Sequence, residues 1–108
     1  MNATNVWYHC ADMIAGRRGH CAAVVGSMIY VLGSFDFVNT MLNSVECYDT
    51  RKDAWFRVFA HLTHAVQYAA CVAHKNSIYV FGGVAKDKCV TAHVQVCNPA
   101  SKMRTSLK

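Results

Sequence analysis

Charged residues and proline are scarce in this sequence. Asp, Glu, Lys and Arg together make up 16% of the 108 residues, one residue is proline, and 54% are hydrophobic. Disordered chains have low hydrophobicity and high net charge, so this composition argues against disorder. The length fits one small domain at most.

Long apolar runs are also missing. The best candidate, residues 21–33, is broken by Gly26 and Ser27 and is shorter than the roughly 20 residues that a membrane-spanning helix needs. The N-terminus MNATNVWYHC lacks a basic region before an apolar stretch, so it predicts no secretory signal. We therefore expect no membrane partner.

The six cysteines include no C-x-x-C pair. Most of them lie inside apolar segments, where a free cysteine behaves as a small hydrophobic residue. Because no secretory signal is predicted, we expect reduced thiols and a cytoplasmic protein, with the nucleus as the alternative.

No motif for catalysis or cofactor binding is found. His61, His64 and Cys71 form the closest His and Cys grouping, and they lack the paired spacing of a zinc site. Asp36 and Asp49 are typical of turns rather than of paired acid–base carboxylates. No glycine-rich loop opens a helix, so no phosphate site is indicated. We expect no enzyme, no metal and no cofactor.

The net charge of +5 is concentrated near the C-terminus. Lys86, Lys88, Lys102, Arg104 and Lys108 lie there, without aromatic interleaving or a nucleic-acid motif. The pattern favours a solvated basic face and no nucleic-acid partner. An acidic protein surface as partner is the alternative.

What the sequence does contain is a repeat. Ile29-Tyr30-Val31 recurs 49 residues later as Ile78-Tyr79-Val80, and Gly33 falls on Gly82 without a gap over residues 19–55. Three consecutive identities with a glycine in register argue against coincidence. Periods of this size are typical of repeat folds.

Each repeat predicts four short strands. Short runs of β-favouring residues alternate with turn residues, and helical periodicity is absent. Several strands are apolar on both faces and must be covered on both sides, as in stacked four-stranded sheets. The predicted strands are 20–25, 28–33, 44–49 and 54–58 in the first repeat, and 68–74, 77–83, 93–98 and 103–107 in the second.

The repeat resembles the kelch repeat. The resemblance is carried by the period, by the strand that ends in Gly82-Gly83, and by Tyr48 followed after six residues by Trp55. It covers nearly the whole chain, and the run LNSVECYDTRKDAW is similar to the kelch-like type. It implies an all-β fold: an incomplete β-propeller of two four-stranded antiparallel blades plus the last strand of a preceding blade.

The resemblance divides the chain into three parts. Residues 1–15 are expected to be the last strand of a preceding blade and a linker, residues 16–60 a kelch repeat, and residues 61–108 a second, degenerate one. The paired glycines of the family close the second strand, where side chains would obstruct a tight backbone path. The residues at structural kelch positions are Trp7, Gly33, Tyr48, Trp55, Gly82 and Gly83.

The sequence departs from the family pattern at three places. Ser34 stands in place of the second glycine, and Cys97 and Arg104 stand where the first repeat has Tyr48 and Trp55. We therefore expect the outer strand of the second blade to pack poorly.

Partner binding is expected at the loops. Residues 34–42 form a long predicted loop with two aromatic residues, and loops on a rigid scaffold concentrate recognition residues. Arg17 matches an arginine that faces the binding mouth in several kelch receptors. The alternatives are aromatic rings folded back onto their blade and arginines that are merely solvated. The candidate partner-binding residues are Arg17, Arg18, Phe35, Asp36, Phe37, Lys86 and Lys88.

The resemblance implies a protein-binding module. The first hypothesis is the substrate-recognition part of a BTB-kelch adaptor of a cullin–RING ubiquitin ligase, with further blades and a BTB domain in a longer chain. The alternatives are an actin-binding type of structural module and a non-functional fragment of a longer kelch protein. Because two blades do not close a ring, we expect the isolated chain to be marginally stable or associated.

Overall fold

The computed structural model describes residues 6–35, 38, 40–58 and 61–99. This part of the chain consists of strands, turns and loops without a helix, which confirms the all-β prediction, and so offers no helix to cross a bilayer. Its strands are β1 (Cys21–Val25), β2 (Met28–Phe35), β3 (Met41–Asp49), β4 (Ala54–Arg57), β5 (Val66–Gln67), β6 (Ala70–His74), β7 (Ser77–Phe81), β8 (Val84–Ala85) and β9 (Val94–Cys97).

The first repeat forms a four-stranded antiparallel sheet in the order β1-β2-β3-β4. A two-residue turn joins Val25 to Met28, with Gly26 at a φ of 62° that suits glycine. At the β3–β4 turn, the Asp49 carboxylate accepts a hydrogen bond from the Arg51 amide at 2.9 Å. Local turn chemistry of this kind makes each strand pair with its sequence neighbour.

Four of the nine residues in the long loop that the sequence predicts over 34–42 belong to strands, two at the end of β2 and two at the start of β3. Gly33 and Ser34 have positive φ values of 71° and 77° and form a bulge between Leu32 and Ser34. After this bulge, Ser34 pairs with Leu42 and Phe35 pairs with Met41. The loop is shorter than predicted because a bulge redirects a strand without ending its pairing.

The second repeat forms a three-stranded antiparallel sheet in the order β6-β7-β9, beside a two-stranded ladder of β5 and β8. The ladder was not predicted. Its Gln67–Val84 pair corresponds, at the repeat offset of 49 residues, to an isolated bridge between Arg18 and Phe35 in the first repeat. The second repeat therefore extends this single bridge into a two-residue ladder. The predicted outer strand, 103–107, lies outside the described residues.

The hydrophobic core lies between the two large sheets. Side chains of β2 and β3 that face the second sheet pack with Ile78 and Val80 of β7 and with Leu62 and Val66, which precede β6. Each such buried side chain contributes roughly 1.5–3 kcal/mol of transfer free energy. The first-sheet members of this core are Ala23, Tyr30, Leu32, Val45 and Cys47.

Two segments lead into the sheets, and we call residues 11–17 the first strap and residues 61–66 the second strap. The second strap lies between the sheets, where Leu62 and Val66 are buried. The first strap binds the opposite face of the first sheet through Ile14 and Ala15, whose amides donate to the Glu46 carboxylate. The two sheets therefore stack in the same sense, as neighbouring propeller blades do.

The face of the second sheet that points away from the first sheet is open in the described structure. Its apolar side chains are between 44% and 54% exposed at Val72, Phe81, Val94 and Val96. Alternate residues of the same strands fill the core instead. Uncovered sheet faces of this kind were predicted from the sequence, because two blades do not close a propeller ring.

The expected last strand of a preceding blade is not found in the described residues. Residues 6–15 belong to no strand, and Trp7 is 98% exposed. An outer strand needs an inner neighbour of its own blade to receive its backbone hydrogen bonds, and the described chain offers none. Residues 1–5 lie outside the described residues.

Candidate functional site at the loop end of the sheets

The two sheets share an end at which β1 and β6 begin and β2 and β7 finish. The loops from β2 to β3 and from β7 to β9 leave from this end. We define the loop rim as its exposed and partly exposed side chains: Arg18, Phe35, Tyr68, Lys86 and Lys88.

Arg18 and Phe35 form the first-repeat side of the loop rim. The Arg18 amide donates to the Phe35 carbonyl at 3.0 Å, and the Phe35 amide donates back at 3.4 Å. The Arg18 guanidinium carbon lies 5.1 Å from the centroid of the Phe35 ring, within the range of a cation–π contact. The Ser34 hydroxyl donates to the Arg18 carbonyl. Arg18 is therefore held in place with an exposed side chain.

Tyr68 is the second-repeat counterpart of Gly19, and the sequence analysis did not single it out. Its side chain is 67% exposed, and its backbone has a φ of 57°, a conformation rare for a bulky residue. The Tyr68 amide donates to the Gly19 carbonyl at 2.8 Å, which links the two repeats. An exposed ring on a strained backbone is a frequent property of binding sites. The alignment of Tyr68 with a glycine was the available signal.

Lys86 and Lys88 lie in an exposed turn that follows β8. The Lys88 amide donates to the Ala85 carbonyl at 2.8 Å, and the Asp87 carboxylate accepts from the Cys89 amide at 3.0 Å. The turn is thus ordered by its own backbone and leaves both lysine side chains in solvent. The other two candidates, Asp36 and Phe37, lie outside the described residues.

Arg17 does not face a binding mouth, which corrects the expectation drawn from its position. Its side chain is fully buried and lies 2.7 Å from the equally buried carboxylate of Glu46. Its Nη1 donates to the carbonyls of Gly33 and Ser44, and its Nη2 donates to the Ser44 hydroxyl. A guanidinium that is buried against a carboxylate and donates to two backbone carbonyls cannot at the same time meet a partner.

Glu46 is the polar residue of this region that the sequence analysis missed. It accepts from the amides of Ile14 and Ala15 at 2.7 and 2.9 Å, and from Arg17. Its carboxylate therefore fastens the first strap to β3. The sequence signal that could have identified Glu46 is its place as the only acidic residue between apolar neighbours in a predicted strand. A buried carboxylate is tolerated only when a cation or several amide groups pair with it.

Comparisons with known proteins agree with this geometry. Residues 16–58 match the family model described as the Kelch motif. The chain belongs to the kelch-repeat family. It is 33% identical to Kelch-like protein 6 of Homo sapiens over 83% of this chain and 14% of that protein. It is 32% identical to Alpha-scruin of Limulus polyphemus over 79% of this chain and 9% of that protein.

A third relative carries a further domain in its name. The chain is 31% identical to Kelch repeat and BTB domain-containing protein 8 of Rattus norvegicus, over 76% of this chain and 15% of that protein. The chain thus spans between 9% and 15% of the length of these three relatives.

The kelch glycines explain why a strand runs directly into a glycine pair. Gly82 and Gly83 have φ values of 65° and 99°, and a Cβ on Gly83 would lie 2.9 Å from the Gln67 carbonyl oxygen. In the first repeat, Ser34 occupies the second of these positions at a φ of 77° and is fully buried. The Ser34 hydroxyl donates a hydrogen bond to the Arg18 carbonyl. Glycine would adopt the positive φ of this position without strain.

The kelch aromatic pair lies on the outer strands, far from the loop rim. Tyr48 pairs with Trp55 across β3 and β4, and their ring centroids are 5.0 Å apart at a tilt of 44°. The Trp55 indole donates to the Ala11 carbonyl at 2.8 Å, and the Tyr48 hydroxyl donates to the Asp53 carboxylate at 2.6 Å. The pair fastens the start of the first strap, which is a structural task.

The rim and its surroundings bring together no metal-binding set. Within residues 6–35, 38, 40–58 and 61–99, His, Cys, Asp and Glu side chains gather nowhere in threes. His64 and His93 come close as a pair, with ring centroids 4.4 Å apart. All six cysteines are free.

Proposed function

We propose that the loop rim is a protein-docking surface. The observation that carries this proposal is the group of Arg18, Phe35 and Tyr68 at one end of the paired sheets. Aromatic residues and arginine are the side chains that most often dominate binding energy at protein interfaces. Such residues on loops above a rigid scaffold are characteristic of recognition surfaces.

The rim is prepared for binding before a partner arrives. The Arg18 guanidinium already lies over the Phe35 ring, and the Tyr68 backbone is tied to Gly19. Binding therefore costs little additional side-chain ordering, which favours affinity. Lys86 and Lys88 add positive charge to the same end, so an acidic partner would associate faster at low salt.

We further propose that the chain acts as the substrate-recognition part of an adaptor of a cullin–RING ubiquitin ligase, in the cytoplasm or the nucleus. Support comes from relatives of the kelch-like type and from one whose name includes a BTB domain. The six free thiols fit a reducing compartment. In this role the chain binds and performs no catalysis itself.

The docking surface is tested by cross-linking mass spectrometry of the tagged chain in cells. Arg18→Glu combined with Tyr68→Ala should remove cross-linked partners by about tenfold or more, as expected for two central interface residues. Arg51→Glu is the matched control, because Arg51 is an exposed cation in the β3–β4 turn at the opposite end of the sheet. The proposal would be contradicted if Arg51→Glu lost as many cross-linked partners as the double variant, or if the double variant lost none.

The adaptor role needs a separate measurement. The half-life of a partner captured through the rim should lengthen when cullin activation is blocked. A half-life that is independent of cullin activity would remove the adaptor role while leaving the docking surface intact.

A structural module of the actin-binding type is the second candidate. The net charge of +5 favours it, because a basic domain is attracted to an acidic filament. Cosedimentation with filamentous actin distinguishes the two functions. Binding that the Arg18→Glu and Tyr68→Ala changes abolish would favour the structural module.

A further inference from the structure

Two cysteines face each other where the inner strands of the two sheets meet. Cys21 is the first residue of β1, and Cys71 is the second residue of β6. Both side chains point into the junction between the sheets, where they pack against the common core together with Ala23 and Ala73. Each is half-buried, so small solutes can reach the pair.

The inner strands are unusually close for strands of two stacked sheets. Cα atoms of β1 and β6 come within 8 Å of one another, whereas stacked sheets are usually about 10 Å apart. The small side chains of Ala23, Ala73 and the two cysteines permit this approach. A disulfide requires Cα atoms less than about 7 Å apart, a distance that small adjustments at such a junction can reach.

The thiol of Cys71 contacts β1 directly. Its S–H donates to the Ala22 carbonyl oxygen, which lies 3.1 Å from the Cys71 Sγ. Ala22 is the neighbour of Cys21 in β1. The Cys71 sulfur is therefore held against the backbone at Cys21, which restricts the rotation that would separate the pair.

The two thiols are chemically unequal. Hydrogen bonding to Cys21 lowers the pKa of Cys71, although burial acts in the opposite direction. The same bond and burial raise the pKa of Cys21. Cys71 is thus the better thiolate nucleophile, and Cys21 holds the proton.

We propose that Cys21 and Cys71 are a peroxide-sensitive thiol pair that forms a disulfide between the two kelch repeats. The Cys71 thiolate attacks one oxygen of hydrogen peroxide, the O–O bond breaks, and Cys71 becomes a sulfenic acid while hydroxide leaves and is protonated to water. The Cys21 sulfur then attacks the Cys71 sulfur, loses its proton, and expels the sulfenic oxygen as a second water. Two electrons pass from the two thiols to the peroxide.

The disulfide would add a covalent bond between two strands that are held by packing and by the hydrogen bond from Cys71 to the Ala22 carbonyl. Residues 21–71 would become a closed loop that contains the first sheet and the second strap. Closing a loop of this length constrains the unfolded chain strongly, so the oxidised protein resists unfolding. Oxidation would therefore fix the arrangement of the two sheets, which share the loop end.

The test treats the full reduced chain with hydrogen peroxide and follows its intact mass. One disulfide removes two hydrogens, so the mass should fall by about 2 Da. Tryptic peptides 19–51 and 58–75 should then appear cross-linked, and fragmentation should place the bond at Cys21 rather than at Cys47. Dimedone, which traps sulfenic acids, should label Cys71 in Cys21→Ser, and Cys71→Ser should lose both the label and the mass change.

Two control variants separate this pair from general thiol oxidation. Cys10→Ser and Cys89→Ser remove the two exposed cysteines and should leave the product unchanged. Cross-links through Cys10 or Cys89, or oxidation of Cys71 to sulfinic acid with Cys21 still free, would overturn the proposal. Circular dichroism of Cys21→Ser and Cys71→Ser checks that both variants keep the β-sheet fold.

Discussion

Four positions that are buried in the first repeat lie on an open face of the sheet in the second. Tyr30, Leu32, Val45 and Cys47 face the second sheet and lie in the core. Forty-nine residues later in the chain, the equivalent side chains of β7 and β9 point away from the first sheet. Phe81, Val94 and Val96 are exposed there, and Tyr79 is partly buried. Both sets are apolar, so burial is decided by the presence of a neighbouring blade and not by the local sequence.

The two straps are fastened by different chemistry at matching positions. In the first repeat, Glu46 accepts amide bonds from the strap and is paired with Arg17. In the second repeat, Gln95 takes the place of Glu46: its Oε1 accepts from the His64 amide, and its Nε2 donates to the His64 carbonyl, both at 3.0 Å. Val66 replaces Arg17 and is buried.

The two substitutions are physically coupled. A buried carboxylate needs a cation, whereas an amide carries its own donor and acceptor and leaves no charge to neutralise. Arg17 with Glu46 and Val66 with Gln95 are therefore two solutions of one task, which is to fasten a strap to the third strand. A mixed pair, with valine opposite the buried glutamate, should destabilise the fold.

The largest expected effect concerns the open face of the second sheet. Because no other part of the described structure covers its apolar residues as their first-repeat counterparts are covered, the chain should self-associate and unfold with weak cooperativity. Sedimentation velocity should show concentration-dependent association, and Phe81→Lys should shift the chain toward monomer. A compact monomer at all concentrations, with a sharp calorimetric transition, would show that the described sheets form a self-sufficient core.

The strap comparison predicts the next largest effect. Arg17→Val leaves the Glu46 carboxylate buried without its cation, which should cost about 3–5 kcal/mol of unfolding free energy. Adding Glu46→Gln recreates the second-repeat chemistry and should recover most of this loss, with a coupling energy of about 2–3 kcal/mol. Urea unfolding at a concentration where the chain is monomeric measures all three proteins.

The exposed Arg51 provides the control for this pair of changes. Arg51→Val should alter stability by less than about 0.5 kcal/mol, as for ordinary surface substitutions. An Arg17→Val protein as stable as this control would mean that Glu46 finds another partner.

The two repeats differ in the side chains that they tolerate at the second position of the glycine pair, which is Ser34 in the first repeat and Gly83 in the second. Gly83→Ala should cost about 2 kcal/mol or more, because its Cβ would lie 2.9 Å from the Gln67 carbonyl oxygen at a φ of 99°. Ser34→Gly should stay within about 1 kcal/mol of the wild type, since relief of the positive φ offsets the lost hydroxyl bond to Arg18. Thermal unfolding of both variants tests the asymmetry, and equal losses would contradict it.

Trp55 should contribute less than a fully buried aromatic residue. Removing a fully buried ring costs about 3–5 kcal/mol, and Trp55 is half-buried against Tyr48, so Trp55→Ala should cost about 2 kcal/mol. Trp55→Phe keeps a ring but loses the bond to the Ala11 carbonyl and should cost about 1 kcal/mol. Chemical denaturation of the two variants separates packing from hydrogen bonding.

Much of the fold could be predicted from the sequence because it depends on local signals. The Ile-Tyr-Val repeat, the Gly26 turn and the alternation of short apolar runs lead to the strands and to their antiparallel order. The bulge at Gly33 and Ser34 was missed because a glycine that redirects a strand and one that ends it look alike in sequence. The β5–β8 ladder is too short to leave a periodic pattern.

The site was harder to predict because exposure is a tertiary property. Arg17 and Arg18 are adjacent and chemically identical, yet one is buried against Glu46 and the other lies over Phe35. Only the path of the first strap across the sheet decides between them. Tyr68 was missed because its importance depends on a backbone conformation that it shares with Gly19.

The smallest expected effect is a pH response of the first strap. The Ala11 amide and the Tyr48 hydroxyl both donate to the Asp53 carboxylate and lower its pKa below the ordinary 3.8. Because the folded-state pKa is the lower one, the stabilisation is fully present above pH 3.8 and is lost as the pH falls through the folded value. Trp55 fluorescence in a Trp7→Phe background should report the release of Ala11 over this range. Asp53→Asn should abolish the transition, whereas Asp87→Asn, at an exposed turn of the second repeat, should retain it. An unchanged transition in Asp53→Asn would show that the pH response comes from a group other than Asp53.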